Sequence, residues 1–244
     1  MQVDALALRL RPRTPYEAAD LGTRLCQSAW RDVYRCYLVV ALPVMGLCLA
    51  SVEIATWLPV VAMWWLKPWL DRTILFVLSR AAFGQRTSLR DLWDAQRQVW
   101  WSQLILTLTW RRLSPWRSFT QAVYQLEGLS FGQFRKRVLQ IRRRRAGSAL
   151  FMTVTYRTCE TSLVIAAVSL LYWFAPQGQA PDFYELFTTN TYTWSYLLYP
   201  VAIGLVMLFI EPFYVASGFA MYLGRRAELE AWDIEQEFRR AFAH

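Results

Sequence analysis

The chain has a single histidine, His244, and it is the last residue. A histidine-based metal site and a Ser-His-Asp triad are therefore not expected. The four cysteines, Cys26, Cys36, Cys48 and Cys159, form no CxxC or zinc-type spacing. Cys48 and Cys159 lie in apolar runs, and all four read as reduced packing residues. Charge is scarce as well, at 18% of residues, below the usual quarter. No secretory signal is visible: the first 35 residues are mostly polar, and the first long apolar run starts near Cys36. No internal repeat or low-complexity linker is apparent.

What is present points to a bilayer. Of 244 residues, 55% are hydrophobic and 16% aromatic, with 13 Trp, a mixture suited to lipid rather than to a water-soluble core. The length allows one domain or two small ones. The net charge of +9 calls for an acidic partner surface, and anionic phospholipid is the nearest candidate.

Hydrophobic runs and caps predict an all-α fold, an integral membrane bundle of four transmembrane helices plus interfacial amphipathic helices. Residues 1–35 form an arm and a helix at the cytoplasmic interface. Thr14-Pro15-Tyr16-Glu17 opens that helix with a capping box and a first-turn proline. Its apolar stripe, Ala18, Leu21, Leu25, Ala29 and Val33, suits a membrane surface. Residues 36–79 form a hairpin of two spans, joined by Glu53 to Thr56 without Lys or Arg.

Residues 80–147 hold 14 Lys and Arg. Ser88 with Asp91, Ser130 with Gln133, and Ser114-Pro115 mark helix starts there. Trp100 to Trp110 is apolar but too short to cross, so it lies at the interface or packs under the bundle. Residues 148–223 form the second hairpin. Pro212 predicts a bend in its last helix, and Gly204 and Gly218 predict close helix approach. Residues 224–244 form a cytoplasmic amphipathic helix.

All 24 Lys and Arg outside the spans fall in residues 1–35, 80–147 and 225–240. The positive-inside rule then places both termini and the middle segment on the cytoplasmic side.

The candidate site is the charge inside the spans. Lys67, Asp71 and Arg72 lie in Trp64-Trp65-Leu66-Lys67-Pro68-Trp69-Leu70-Asp71-Arg72; Arg157, Glu160 and Glu211 lie in the later runs. Three positive groups face three negative ones. Each charge at mid-bilayer costs at least about 2.5–3.5 kcal/mol unless it finds a partner or water. Spacing pairs Lys67 with Asp71 and Arg157 with Glu160, which leaves Arg72 for Glu211. Such a layer could be a structural lock, a polar transport path or, least in keeping with the residues present, a catalytic site. Arg72 and Arg157 could also snorkel to the cytoplasmic interface. Glu211-Pro212 offers a carboxylate beside a freed carbonyl, which a cation or an arginine could satisfy, or else a plain packing kink. A second set, Arg135, Lys136, Arg137, Arg142, Arg143, Arg144, Arg145, Arg225 and Arg226, borders the spans and is read as binding lipid headgroups or a partner, not nucleic acid.

Several stretches carry a resemblance. Arg11-Pro12 with Glu17 to Gly22, leading to Leu42-Pro43, is similar to the membrane domain sometimes fused to glycerophosphodiester phosphodiesterases. Trp65 to Arg72, and Glu211-Pro212-Phe213-Tyr214-Val215 through Arg225-Arg226 to Glu235, resemble uncharacterised bacterial inner-membrane proteins encoded beside a MoxR-type AAA+ ATPase. The phosphodiesterase catalytic domain and its metal ligands are absent from the chain. The leading expectation is a non-enzymatic scaffold or anchor of an envelope complex with no cofactor; the resemblance implies an AAA+ system as its partner. The alternative is a small transporter or channel component using the charged layer.

Overall fold

A computed structural model describes residues 14–102, 104–109, 112, 114–128, 131–174 and 193–230. Among them the chain is helical, with no strand. The helices are α1 (Pro15–Ser28), α2 (Trp30–Ala50), α3 (Leu58–Ala81), α4 (Leu89–Asp94), α5 (Leu104–Leu108), α6 (Arg117–Leu126), α7 (Phe131–Arg142), α8 (Ala146–Trp173) and α9 (Thr193–Glu230). A 3-10 turn, Ser51–Glu53, joins α2 to the loop before α3, and a π turn, Arg97–Trp101, precedes α5. The arm at residues 3–10 and the helix expected beyond Glu230 lie outside the described residues.

Local signals set the ends. Thr14 and Glu17 close a reciprocal capping box with Pro15 in the first turn, and Ser88 with Asp91 closes another on α4. The Ser88 amide and hydroxyl hold the exposed Asp91 carboxyl below its usual pKa. Gly84, at φ 71°, turns the chain out of α3 in a left-handed conformation that suits glycine.

Helix α9 is the axis of the molecule. Helices α1, α2, α3, α6 and α8 all pack on it. It runs unbroken through Pro200 and Pro212 and through Arg225-Arg226. Pro212 cannot donate its backbone nitrogen, and the nearby Phe209 carbonyl accepts the Tyr34 hydroxyl at 3.0 Å.

The sequence reading lays α1 on the membrane surface. The structure instead seats it against α9, with Ala18, Leu25 and Cys26 buried. The reason is Gly22: a Cβ there would overlap the Ala216 carbonyl, so only glycine lets these helices come so close. Ser217 fastens the crossing. Its hydroxyl donates to the Ala19 carbonyl at 3.2 Å and meets Tyr156 of α8 at 2.8 Å. Gly204 and Gly218 do mark close approaches, to Met45 and Met63 at one end and to Ser118 of α6 at the other.

Helix α6 is not a surface helix either. Phe119, Ala122 and Val123 are fully buried, and α6 fits between α3 and α9. Around this centre the long helices turn bulky apolar side chains outward: Leu42 and Leu47 of α2, Phe151, Ile165 and Leu170 of α8, Leu205 and Phe209 of α9.

Two helices, Trp30–Glu53 and Leu197–Leu229, are long and apolar enough to cross a membrane. Helices α3 and α8, of 24 and 28 residues, have the length but carry the charged residues.

The close crossing at Gly22 sets an expectation. Gly22→Ala should lower stability by about 1–3 kcal/mol through overpacking. Gly46→Ala, where a Cβ meets open space, should not. Thermal melts of the two variants in the same detergent check this.

Candidate functional site

Helix α3 turns Lys67 and Asp71 inward one turn apart, on a face that also buries Met63, Leu70 and Ile74. Helix α8 buries a narrow stripe of Ala149, Met152, Glu160, Val164 and Val168, so Glu160 is its one inward charge. Helix α9 brings Glu211, which is 1% exposed. The three elements converge on Lys67. Its Nζ donates to Glu160 Oε1 at 2.9 Å and Oε2 at 3.0 Å, and lies 2.6 Å from Glu211 Oε2.

The remaining partner comes from the basic middle segment. Arg117, at the start of α6, places Nη2 3.0 Å from Glu211 Oε1 and 3.0 Å from Asp71 Oδ2. The contact to Glu211 is a hydrogen bond; that to Asp71 is an ion pair by distance, without hydrogen-bond geometry. Burial disfavours the Arg117 charge, but Asp71, Tyr214 and Glu211 together outweigh it and raise its pKa above the ordinary value. Arg157, half exposed, donates to Glu160 Oε2 at 3.0 Å from one turn away.

Two pairings differ from the sequence reading. Lys67 and Asp71 share a face, yet each pairs across helices, Lys67 with α8 and α9 and Asp71 with α6. Arg72 does not meet Glu211. One residue further along α3, it points to the opposite side, where Nη1 donates to the Ser102 carbonyl at 2.5 Å and to Thr107 at 3.2 Å, and Nη2 to the Gln98 carbonyl at 3.1 Å. Those acceptors belong to the apolar segment before α6, which packs against α3 as a π turn and a short helix. Its carbonyls, left over at helix ends, need donors.

Sequence reasoning missed Arg117 and Arg112. Both sit among 14 basic residues, and nothing in the charge balance of the spans asks for more. Arg112 is 8% exposed. Its guanidinium stacks 3.5 Å over the Trp64 ring, and Nη1 donates to the Trp65 carbonyl at 2.7 Å. That carbonyl lies three residues before Pro68, as Phe209 lies three before Pro212. The arginine expected at Glu211-Pro212 is Arg117, which donates to the Glu211 carboxylate. Burial, then the charges of Arg117 and Arg157, lowers the Arg112 pKa to about 10.

Cavities flank the cluster. One, about 310 Å³, is lined by Lys67, Arg112, Arg117, Arg157, Glu160 and Glu211 among others. It shares Trp64, Lys67, Arg157 and Glu160 with an apolar cleft of about 250 Å³ between α3 and α8. A third, about 350 Å³, lies beyond Arg117 and is lined by Arg72, Trp116, Gln121, Gln125 and Arg142. Among the described residues, no group of three His, Cys, Asp or Glu is placed to hold a metal ion.

The second basic set is largely engaged within the molecule. Arg137 pairs with Glu127 at 3.0 Å, and the Tyr222 hydroxyl joins the same carboxylate. Arg145 and Arg225 both pair with Glu228. Arg226 reaches the Tyr222 hydroxyl at 3.4 Å, and Arg142 stacks 3.5 Å over Trp116. Arg135, Lys136, Arg143 and Arg144 are exposed.

No protein-family model, curated protein or solved structure matches the chain, so the site is read from its own geometry.

Removing Lys67 would leave Glu160 and Glu211 facing each other without their shared cation. Lys67→Ala should cost about 3–5 kcal/mol of stability. Arg157→Ala, which removes a half-exposed partner, should cost about 1 kcal/mol or less. Denaturation midpoints of the two variants in detergent test the ranking.

Proposed function

We propose that the protein is a non-enzymatic, four-span protein of the bacterial inner membrane with both termini cytoplasmic. It acts as a scaffold or anchor in an envelope-associated complex. The observation that carries the bilayer reading is the pairing of an apolar outer surface with a compensated charged interior. Leu47, Ile165 and Leu170 are 75%, 60% and 60% exposed, while the charges of α3, α8 and α9 meet one another inside. A water-soluble bundle would pattern these the other way round. Helices α3 and α8 then cross despite their charges, because each inward charge has a partner and Arg157 lies beside Glu160. At 1.5 Å per residue they span about 36 and 42 Å.

The scaffold reading is supported by the fastening of α6 and α7 to the spans. Arg117 ties α6 into the charged layer, and Glu127 links the α6 end to α7 and α9. A cytoplasmic platform held this firmly suits docking. An AAA+ system as the docked partner comes from the resemblance of Glu211 to Glu235 and Trp65 to Arg72 to proteins encoded beside such ATPases.

A second reading, a transporter or channel component, is favoured by the cavities that reach Lys67 and Glu211. Single cysteines at Val164 or Met207, in a background without the four native cysteines, separate the two. Reaction with a membrane-impermeant maleimide supports a water-filled path; reaction with a lipid-soluble one alone supports the scaffold.

The topology has its own test. A reporter fused at Gln177 is expected on the outer side, and one at the C-terminus on the inner side. Deletion of residues 225–242 is expected to abolish partner recovery from solubilised membranes; unchanged recovery would remove the docking role.

A further inference from the structure

The charges gathered around the 310 Å³ cavity are not neutral. Four cations, Lys67, Arg112, Arg117 and Arg157, stand against three carboxylates, Asp71, Glu160 and Glu211. The carboxylates are all taken by Lys67, Arg117 and Arg157. Arg112 is the cation left over: no carboxylate lies within ion-pair distance of it among the described residues, and its buried Nε has no hydrogen-bond partner. A guanidinium this deep, held by one carbonyl and a Trp face, lacks the counter-charge that its surroundings demand.

The space beside it has a definite character. Arg112 borders the 310 Å³ cavity, which opens at Lys67 and Trp64 into the cleft between α3 and α8. That cleft is walled by Val60, Met63, Val164, Val168, Ile203 and Met207. Helices α3 and α8 both pack on α9, and the Lys67–Glu160 pair bridges the gap between them. The result is one compartment with a positive end and an apolar end. An inorganic anion would leave the apolar end unfilled, and a neutral hydrocarbon would leave Arg112 unpaired.

We propose that this compartment binds one phospholipid with a monoanionic headgroup, its phosphodiester against Arg112 and one acyl chain in the cleft between α3 and α8. A phosphodiester carries a single negative charge, which closes the balance of four against three. Arginine forks suit its paired oxygens. The proposal rests on the four-span reading, and the orientation is consistent with it. Along α3, Arg112's contact at Trp65 lies toward the C-terminal end from Val60, so in that reading the headgroup end of the compartment faces the cytoplasmic side and the apolar end the outer side.

The experiment uses the full chain, purified in detergent and observed by native mass spectrometry during titration with phosphatidylglycerol. The expected result is one tightly retained phosphatidylglycerol. Zwitterionic phosphatidylcholine should be retained at least about tenfold less. Arg112→Gln should weaken retention by about tenfold or more, and Val164→Trp, which fills the apolar end and leaves Arg112 in place, should do the same. Because the two changes lie on different elements, loss of fold in one leaves the other decisive. Equal retention by wild type and both variants would overturn the proposal. So would displacement of the lipid by glycerol 3-phosphate at equal concentration, which would mark a site for soluble anions. Release of the protein from membranes by alkaline carbonate would instead defeat the spanning reading itself; firm membrane attachment without lipid retention would defeat the lipid site alone.

Discussion

A carboxylate without water needs a cation, and Glu211 has two. Lys67 and Arg117 approach its two oxygens from opposite sides, so the carboxylate of α9 is the bridge between α3 and α6. Lys67 extends the chain of charges to Glu160 on α8, and Arg117 extends it to Asp71 on α3. No pair in this chain is private. Lys67, Glu160, Glu211 and Arg117 each have two partners, so the helices are set in register by a network whose members cannot shift singly. Apolar packing alone would allow α8, which buries only a narrow stripe, to slide or rotate. The Glu160 contact restricts both motions.

The same demand governs the backbone. Proline inside a long helix leaves carbonyls short of donors, and a bilayer offers no water to supply them. Side chains donate one residue beyond the carbonyls that Pro68 and Pro212 free: Arg112 to the Trp65 carbonyl and Tyr34 to the Phe209 carbonyl. Arg72 does similar service for the free carbonyls of Gln98 and Ser102. Charge and backbone satisfaction thus draw the π turn, α5 and α6 up against α3 and α9.

Much of the fold was legible because its signals are local. Length and hydropathy locate α3 and α8 within a few residues, while α2 starts six residues earlier and the last helix runs seven residues further than the apolar runs do; Thr14-Pro15 and Ser88 with Asp91 mark their helix starts. Lys67, Asp71, Arg157, Glu160 and Glu211 stand out because charge is rare in apolar runs. Their pairings were less legible. An i,i+4 spacing says that Lys67 and Asp71 share a face, but not that stronger partners wait on α6, α8 and α9. Arg72 fails as a partner of Glu211 because one step along a helix turns a side chain through about 100°. Arg117 and Arg112 were hidden by their company: a basic residue in a basic segment looks solvated. One signal could have shown Arg117, namely that Phe119, Ala122 and Val123 follow it at spacings that make an apolar face. That face in a segment rich in Lys and Arg implies a helix seated in the bundle. The seating of α1 on α9 turned on Gly22, whose role depends on a backbone 194 residues further along the chain.

The engagement of the basic residues also narrows what a partner could see. The run Arg142 to Arg145, with Arg135 to Arg137 and Arg225-Arg226, reads from sequence as one cationic face. In the folded chain, Arg137 is paired with Glu127, Arg145 and Arg225 share Glu228, and Arg142 lies on Trp116. Those contacts hold α7 to α9. The outward charge is left to Arg135, Lys136, Arg143 and Arg144. Arg143 and Arg144 border a cavity with Arg137 and Arg225 where α7 meets the end of α9, next to the residues that continue toward the C-terminus. An acidic partner or anionic headgroup meeting this end of the molecule would therefore contact α7 and α9 together. Because α9 also carries Glu211, whatever grips its C-terminal end acts on the same rigid helix that anchors the charged layer.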